Sequence, residues 1–201
     1  MNAEQLTVAR PDFAAIAAWV AHGSRVLDLG CGDGSLLRHL QDTCGIQGYG
    51  VEIRDAAIVS CIANGVNVIQ GDLEAGLADF EDQSFDLVIL SQTLQATRHT
   101  EVLMQEMLRV GREVIVSFPN FAYWRNRLNV LTGHMPVSGD LPYQWFDTPN
   151  VHLCTLHDFE QFCQNHHVAV LDRRVMTGGD TVSVLPNLLG SIAVYRVQRA
   201  V

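Results

Sequence analysis

Short, unbroken apolar runs rich in β-branched residues alternate with segments of helical spacing through the first 120 residues. Arg25–Leu29, Gln47–Ile53, Val66–Gln70, Phe85–Leu90 and Glu113–Phe118 read as strands. Between them, Ser35–Asp42, Asp55–Ala63 and Thr100–Val110 read as helices, the last with Val102, Leu103, Met107 and Leu108 at helical spacing. A leading helix, Asp12–His22, ends at Gly23, while Asn64-Gly65 and Gly111 stop two of the others. Strands that are apolar throughout suit a parallel sheet covered on both faces. The pattern therefore predicts an α/β doubly wound sheet with right-handed helical crossovers.

After residue 150 the pattern changes. Thr155-Leu-His-Asp158 is a capping box opening a helix to about His166, and Val168–Met176 with Ser191–Gln198 predicts an antiparallel pair at the sheet edge. No repeat, low-complexity tract or disordered linker interrupts the chain, so residues 1–201 are expected to form one domain. Residues 118–150 stand apart: they hold four of the six prolines and seven of the 15 aromatic residues, too many for a flexible linker. This stretch is expected to be a folded lid or partner-contact insertion, since long loops inside compact domains are usually functional.

Composition narrows the function. All 13 basic residues are arginine, and the formal net charge is −9. Without lysine there is no P-loop lysine and no Schiff-base or pyridoxal-phosphate anchor, and the acidic balance disfavours nucleic-acid binding. Five cysteines, an odd number with no CxxC pair, fit reduced thiols in a cytoplasmic protein. The apolar run Phe13–Ala21 is too short to span a bilayer, and no membrane association is expected.

The densest chemical signal is Arg25-Val-Leu-Asp-Leu-Gly-Cys-Gly-Asp-Gly34, a strand running into three alternate glycines. Such a turn accepts positive φ and lets a ligand reach the main chain. A Walker motif would need Gly-Lys-Ser/Thr, and a dinucleotide fingerprint would need its third glycine where Ser35 stands. A pyrophosphate would also meet Asp28 and Asp33, and like charges ~4 Å apart repel by about 4 kcal/mol at an effective dielectric near 20. S-adenosylmethionine brings a sulfonium and an ammonium, which those carboxylates attract. Glu52, at the end of the second strand, is placed to accept both ribose hydroxyls, and Asp72, after the third, to accept the adenine amino group.

The VLDLGCGDG turn with Glu52 and Asp72 resembles the motifs of class I S-adenosylmethionine-dependent methyltransferases. Leu90-Ser-Gln-Thr-Leu-Gln95, Ser117-Phe-Pro-Asn-Phe121 with Trp124 and Arg125, and Leu141–Asn150 are similar to the MetW family of methionine-biosynthesis proteins along nearly the whole chain. The resemblance implies a Rossmann-like class I methyltransferase fold with a mostly parallel seven-stranded sheet and an antiparallel edge strand. It also implies a place in methionine biosynthesis and association with homoserine O-acyltransferase. Carried over, it gives Gly30, Cys31, Gly32 and Gly34 the methionine moiety of S-adenosylmethionine or S-adenosylhomocysteine, with Asp28 ordering the amino group. Glu52 takes the ribose, Ile53 the adenine face, Asp72 and Leu73 the adenine edge, and Ser91 and Gln92 close the pocket.

Methyl transfer is an in-line displacement dominated by positioning, so no nucleophile is required of the protein. His134, Asp140, Tyr143 and His152 are the candidate bases for a small-molecule acceptor. Tyr123, Trp124, Arg125, Arg127, Tyr143 and Trp145 are the candidates for contacting an acceptor or a partner protein. Phe118-Pro-Asn-Phe121 is not the Asn-Pro-Pro-Tyr/Phe motif of N-methyltransferases, because it follows the fifth strand and lacks the double proline. The His and Cys residues between His152 and His167 suggest zinc, but the capping box puts Cys163 with Leu156 and Phe159 on an apolar helix face, against a metal site.

Overall fold

In the computed structural model, which describes residues 10–200, eight strands form one sheet in the order β3-β2-β1-β4-β5-β8-β6-β7. Residues 1–9 and 201 of the expected domain lie outside the described residues. The strands are β1 (Arg25–Leu29), β2 (Gln47–Glu52), β3 (Asn67–Gln70), β4 (Phe85–Ser91), β5 (Gly111–Pro119), β6 (Val168–Thr177), β7 (Asp180–Thr181) and β8 (Ile192–Arg199). The helices are α1 (Pro11–Ala17), α2 (Ser35–Cys44), α3 (Asp55–Ala63), α4 (Thr100–Val110), α5 (Trp124–Leu131), α6 (Leu156–Asn165) and α7 (Pro186–Leu189). β1 to β5 pair in parallel, whereas β8 lies antiparallel between β5 and β6. This is the expected Rossmann-like sheet with its antiparallel pair on the β5 side. The eighth strand is the two-residue β7, folded back on β6 by the positive-φ pair Gly178-Gly179.

Alternate residues of the central strands feed two separate cores. Leu27, Val88, Leu90, Val114 and Val116 face α4 and α6, with Met104, Met107, Phe159 and Tyr195. Val26, Leu87, Ile89, Ile115 and Val194 face the other way, packing with Phe13 and Ile16 of α1 and Leu37 and Leu40 of α2. Both faces are therefore sealed by hydrophobic burial, as an unbroken apolar strand requires. Phe118 stacks on Tyr195 at 5.8 Å, and Phe159 meets the same ring at 4.7 Å.

Differences from the expected elements are local. α1 stops at Ala17 because Trp19 and Val20 tighten onto the carbonyls of Ile16 and Ala17, one residue nearer than an α-helical bond. Phe118 and Pro119 belong to β5, and the following stretch contains a helix, α5, that the prolines around it mask in the sequence. The capping box forms as read: Thr155 Oγ1 accepts from the Asp158 amide and the Asp158 carboxylate accepts from the Thr155 amide. Among the described residues no helix is long and apolar enough to cross a membrane.

Candidate cofactor site

The strand order reverses between β1 and β4, so the crevice at their carboxyl ends is where an open α/β sheet places a ligand. The glycine turn sits there and is clamped by β2. Gly30 and Cys31 both donate their amides to the Val51 carbonyl, at 2.8 and 3.1 Å, and Gly32 donates to Glu52 Oε2 at 3.0 Å. All three glycines have positive φ, but their surroundings differ. A Cβ on Gly34 would meet Cys61 Sγ and Val66 within 3.2 Å, so Gly34 is needed for packing under α3. A Cβ on Gly32 would meet nothing within 4 Å.

Glu52 is only 4% exposed, yet its carboxylate is crowded with donors. Oε1 accepts from the amides of Ile53 and Arg54 and from Arg54 Nε at 3.2 Å, while Oε2 accepts from Gly32 and, at 3.4 Å, from the far guanidinium nitrogen. Burial alone would raise its pKa. The Arg54 hydrogen bonds and charge, with the Gly32 amide, outweigh burial and hold the carboxyl below the usual carboxylate range. Ile53 beside it is 55% exposed, an apolar surface with no covering side chain of its own. Asp72 is exposed; one carboxylate oxygen caps the turn Leu73–Ala75 through the Glu74 amide, and Leu73 is half-buried against the core. Glu52, Ile53, Asp72 and Leu73 thus line up on the carboxyl ends of β2 and β3, as the sequence places them.

Asp28 is 2% exposed at the base of the crevice. Burial, countered by Arg10 and reinforced by the charges of Asp12 and Glu52, pushes its pKa up to about 7. Nothing in the sequence marked the group that surrounds it. Arg10 forks onto Asp12 at 3.0–3.1 Å and also donates to Ser91 Oγ at 2.8 Å. Asp12, fully buried at the start of α1, accepts further from Ser91 at 2.8 Å and Ser117 at 3.2 Å. Ser91 is thereby fixed at the end of β4, with its hydroxyl already engaged by the protein. Gln92 follows in a left-handed conformation, φ 54°, with its side-chain Nε2 buried and without a hydrogen-bond partner among the described residues.

The candidates for an acceptor or partner fall in two groups. Tyr123 is buried, and Arg127 spends its Nε on the Ala122 carbonyl at 2.6 Å, so both hold the entry to α5. Trp124, Arg125, Tyr143 and Trp145 are exposed, Trp145 by 73% and its neighbour Phe146 by 70%, and Arg125 lies over the Trp124 ring at 5.4 Å. A cavity of about 160 Å³ opens among Phe121, Leu141, Tyr143 and Trp145. Of the candidate bases, His134 lies 3.4 Å from the Thr132 hydroxyl and His152 3.3 Å from the Arg98 carbonyl. Cys163 is buried with Leu156 and Phe159, as the capping box implied.

Comparison with known proteins shows the family and the fold. The family described as "Methionine biosynthesis protein MetW" matches residues 10–197. A curated relative, the "Bifunctional methionine biosynthesis protein MetXA/MetW" of Rhodopirellula baltica, is 38% identical over 192 residues. That match takes in 88% of this chain but 31% of the relative, so the chain spans about a third of its length. Among solved structures, magnesium protoporphyrin IX methyltransferase from Synechocystis, with bound S-adenosylhomocysteine, superposes with a TM-score of 0.68 at 17% identity, covering 96% of this chain and 84% of that one. The [4+2]-cyclase SpnF superposes equally well, at 0.68 and 16% identity over 98% and 83% of the two chains. At these identities the structures establish the fold and leave the chemistry open.

Proposed function

Because the chain belongs to the MetW family of methionine biosynthesis proteins, we propose that it is a methyltransferase-like protein that binds S-adenosylmethionine or S-adenosylhomocysteine and acts with or on homoserine O-acyltransferase. One observation carries the cofactor reading. A buried carboxylate, Glu52, braces the positive-φ turn through the Gly32 amide, a Cβ at Gly32 would meet no neighbour within 4 Å, and exposed Ile53 follows Glu52 at the carboxyl end of β2. The residues fit the group: a nucleoside would lie on Ile53, its ribose against Glu52, its adenine edge towards Asp72 and Leu73. The amino-acid end would lie over Gly30, Cys31 and Gly32, with its cationic groups towards Asp28. When bound, the cofactor supplies an electrophilic methyl group. The chain itself contributes binding, orientation and the carboxyl groups of Asp28 and Glu52, which favour a cation over a phosphate.

The partner reading is supported by the lid, in which Trp124, Tyr143, Trp145 and Phe146 are exposed; exposed Trp and Tyr with arginine are typical of interaction sites. The bifunctional relative, named for MetXA and MetW together, is consistent with a module that works beside another activity. The acyltransferase itself is the partner implied by the family resemblance. A second reading, a small-molecule methyltransferase, rests on the cavity of about 160 Å³ under Tyr143 and Trp145, which has room for a small acceptor. We expect no nucleic-acid partner. A cytoplasmic location suits five unpaired cysteines, which stay reduced there.

Two measurements test this. Calorimetry with S-adenosylmethionine on the wild type and on Glu52→Ala should show affinity falling by about 100-fold or more, as for two charge-assisted bonds; equal affinity would sink the ribose assignment. Co-purification with the acyltransferase, altered acyl-transfer rates and no S-adenosylhomocysteine formation support the partner role. Acceptor-dependent S-adenosylhomocysteine formation would favour the enzyme.

A further inference from the structure

Register partners in a parallel pair lie on the same face of the sheet, and residues two apart along a strand share that face. Asp28 pairs with Ile89, and the two follow Val26 and Leu87, which pack with Phe13 and Ile16 of α1. Asp28 therefore faces α1. Ser91 and Ser117, register partners at the ends of β4 and β5, come two residues after Ile89 and Ile115 and face the same way. There the Arg10 guanidinium is held on three sides. Nε and Nη2 fork onto Asp12 at 3.1 and 3.0 Å, Nη2 also donates to Ser91 at 2.8 Å, and the guanidinium carbon lies 4.6 Å from the centre of the Phe13 ring. The Arg10 side chain is still 39% exposed. A guanidinium has five N–H donors; these contacts use three of them, and Nη1 makes no hydrogen bond among the described residues. The glycine turn borders the same strand end, because a Cβ on Gly30 would meet Thr93, two residues after Ser91, at 3.0 Å.

We propose that Arg10 is the carboxylate receptor of the cofactor pocket, so that Arg10 and Asp28 together select nucleosides carrying an α-amino acid. The proposal rests on the cofactor reading above, in which Asp28 takes the amino group and the carboxylate has no assigned partner. A carboxyl that attracts an ammonium repels a carboxylate, so an amino-acid end needs a fixed cation beside it. Arg10 supplies that cation from the face that Asp28 shares. Its Nη1 can take a second carboxylate while the fork keeps the first, because the planar donors of arginine suit carboxylate oxygens. Asp12 is then a positioning residue: fully buried in α1, it fixes the guanidinium at the ends of β4 and β5 before any ligand arrives. Arg54, also at the crevice, is engaged on Glu52 at the ribose end. The two arginines thus serve opposite ends of the ligand.

The test measures binding of three probes to the full chain by calorimetry. They are S-adenosylhomocysteine, its decarboxylated form, which keeps the amino group, and methylthioadenosine, which lacks the whole amino-acid end. The wild type should prefer S-adenosylhomocysteine to its decarboxylated form by about 10- to 100-fold, as for a charge-assisted pair. In Arg10→Met these two probes should bind within about twofold of each other, and methylthioadenosine should keep its wild-type affinity within about threefold. That variant leaves Asp12 buried without its arginine. Arg10→Met combined with Asp12→Asn, whose neutral amide oxygen can still accept from both serines, should repeat the result and guards against a folding defect. Equal binding of the first two probes by the wild type would overturn the proposal, as would a preference that survives in both variants. An equal loss for all three probes would make Arg10 purely structural and overturn it too. If the wild type binds none of the probes, the cofactor reading falls and the proposal falls with it.

Discussion

Asp28→Asn separates the electrostatics of the pocket from its shape. The side chains are nearly isosteric, Asp28 is 2% exposed, and Arg10, Asp12 and Glu52 are the charged groups that act on it. Its carboxyl has an ordinary value of 3.8 and is pushed up to about 7 in the fold. Below the lower value both states are protonated and the residue costs nothing. As pH rises, the unfolded chain loses its proton first, so stability falls until the folded carboxyl also ionises, and then levels off. At about 1.4 kcal/mol per pH unit, the whole gap corresponds to about 4 kcal/mol, and about 3 kcal/mol of it develops between about pH 4.5 and about pH 8. The neutral amide removes this term, so the variant should gain on the wild type by that amount across the interval. Urea unfolding followed by circular dichroism at both pH values measures the gain. The same carboxylate should attract a sulfonium or ammonium, so the stabilised variant should bind S-adenosylmethionine more weakly above pH 7. A gain that does not change with pH, or a variant less stable at pH 8, would mean that the buried carboxylate is stabilised as an anion and that the desolvation argument is wrong.

Gly32→Ala and Gly34→Ala should behave differently: both strain a positive φ, but only Gly34 faces crowding from Cys61 and Val66. Gly34→Ala should therefore lower stability by about 2–3 kcal/mol, while Gly32→Ala should cost about 1 kcal/mol and chiefly weaken cofactor binding; similar unfolding midpoints for the two would refute the distinction. Phe159→Ala, which opens the stack with Phe118 and Tyr195, should cost about 3–5 kcal/mol by denaturant unfolding with little change in cofactor affinity. Alkylation of the native chain near pH 8 should reach half-buried Cys44 first, because burial raises the pKa of Cys31, Cys61, Cys154 and Cys163, the last two to about 12; mass spectrometry showing early modification of Cys61 would contradict its burial.

The central sheet was legible because its strands are apolar on both faces, a pattern that few other arrangements tolerate, and the strands fall within two residues of their expected ends. The turn and Glu52 were legible for a local reason: three glycines and a strand-end acid act through their own backbone or their immediate neighbours. The group around Asp28 was hidden because it is not local. Asp12 looks like an ordinary first-turn helix acid, yet it accepts from serines 79 and 105 residues away once α1 lies across the ends of β4 and β5. α5 was hidden differently. Trp124, Leu128 and Leu131 do repeat at helical spacing, but they are 38%, 49% and 82% exposed, so the stripe is not a core face and the surrounding prolines dominate the reading.

Three acids, Asp12, Asp28 and Glu52, converge below the glycine turn, and each is neutralised by a different means. Asp12 has the Arg10 fork, Glu52 has Arg54, and Asp28 has a proton whenever the pH is below about 7. The means differ in how readily a ligand can replace them. The Asp12 carboxylate is fully buried and shared with two serines, so it is structural; replacing its arginine would leave a buried anion with hydroxyl partners alone. The other two counter-charges are removable, one by a swing of an exposed side chain and one by loss of a proton. A cationic nucleoside offers both replacements at once, hydroxyls for Glu52 and positive charge for Asp28. A dinucleotide phosphate offers only the first and would add negative charge beside the second. Selectivity for a sulfonium nucleoside can therefore reside in which counter-charges are able to leave, without any side chain touching the sulfur.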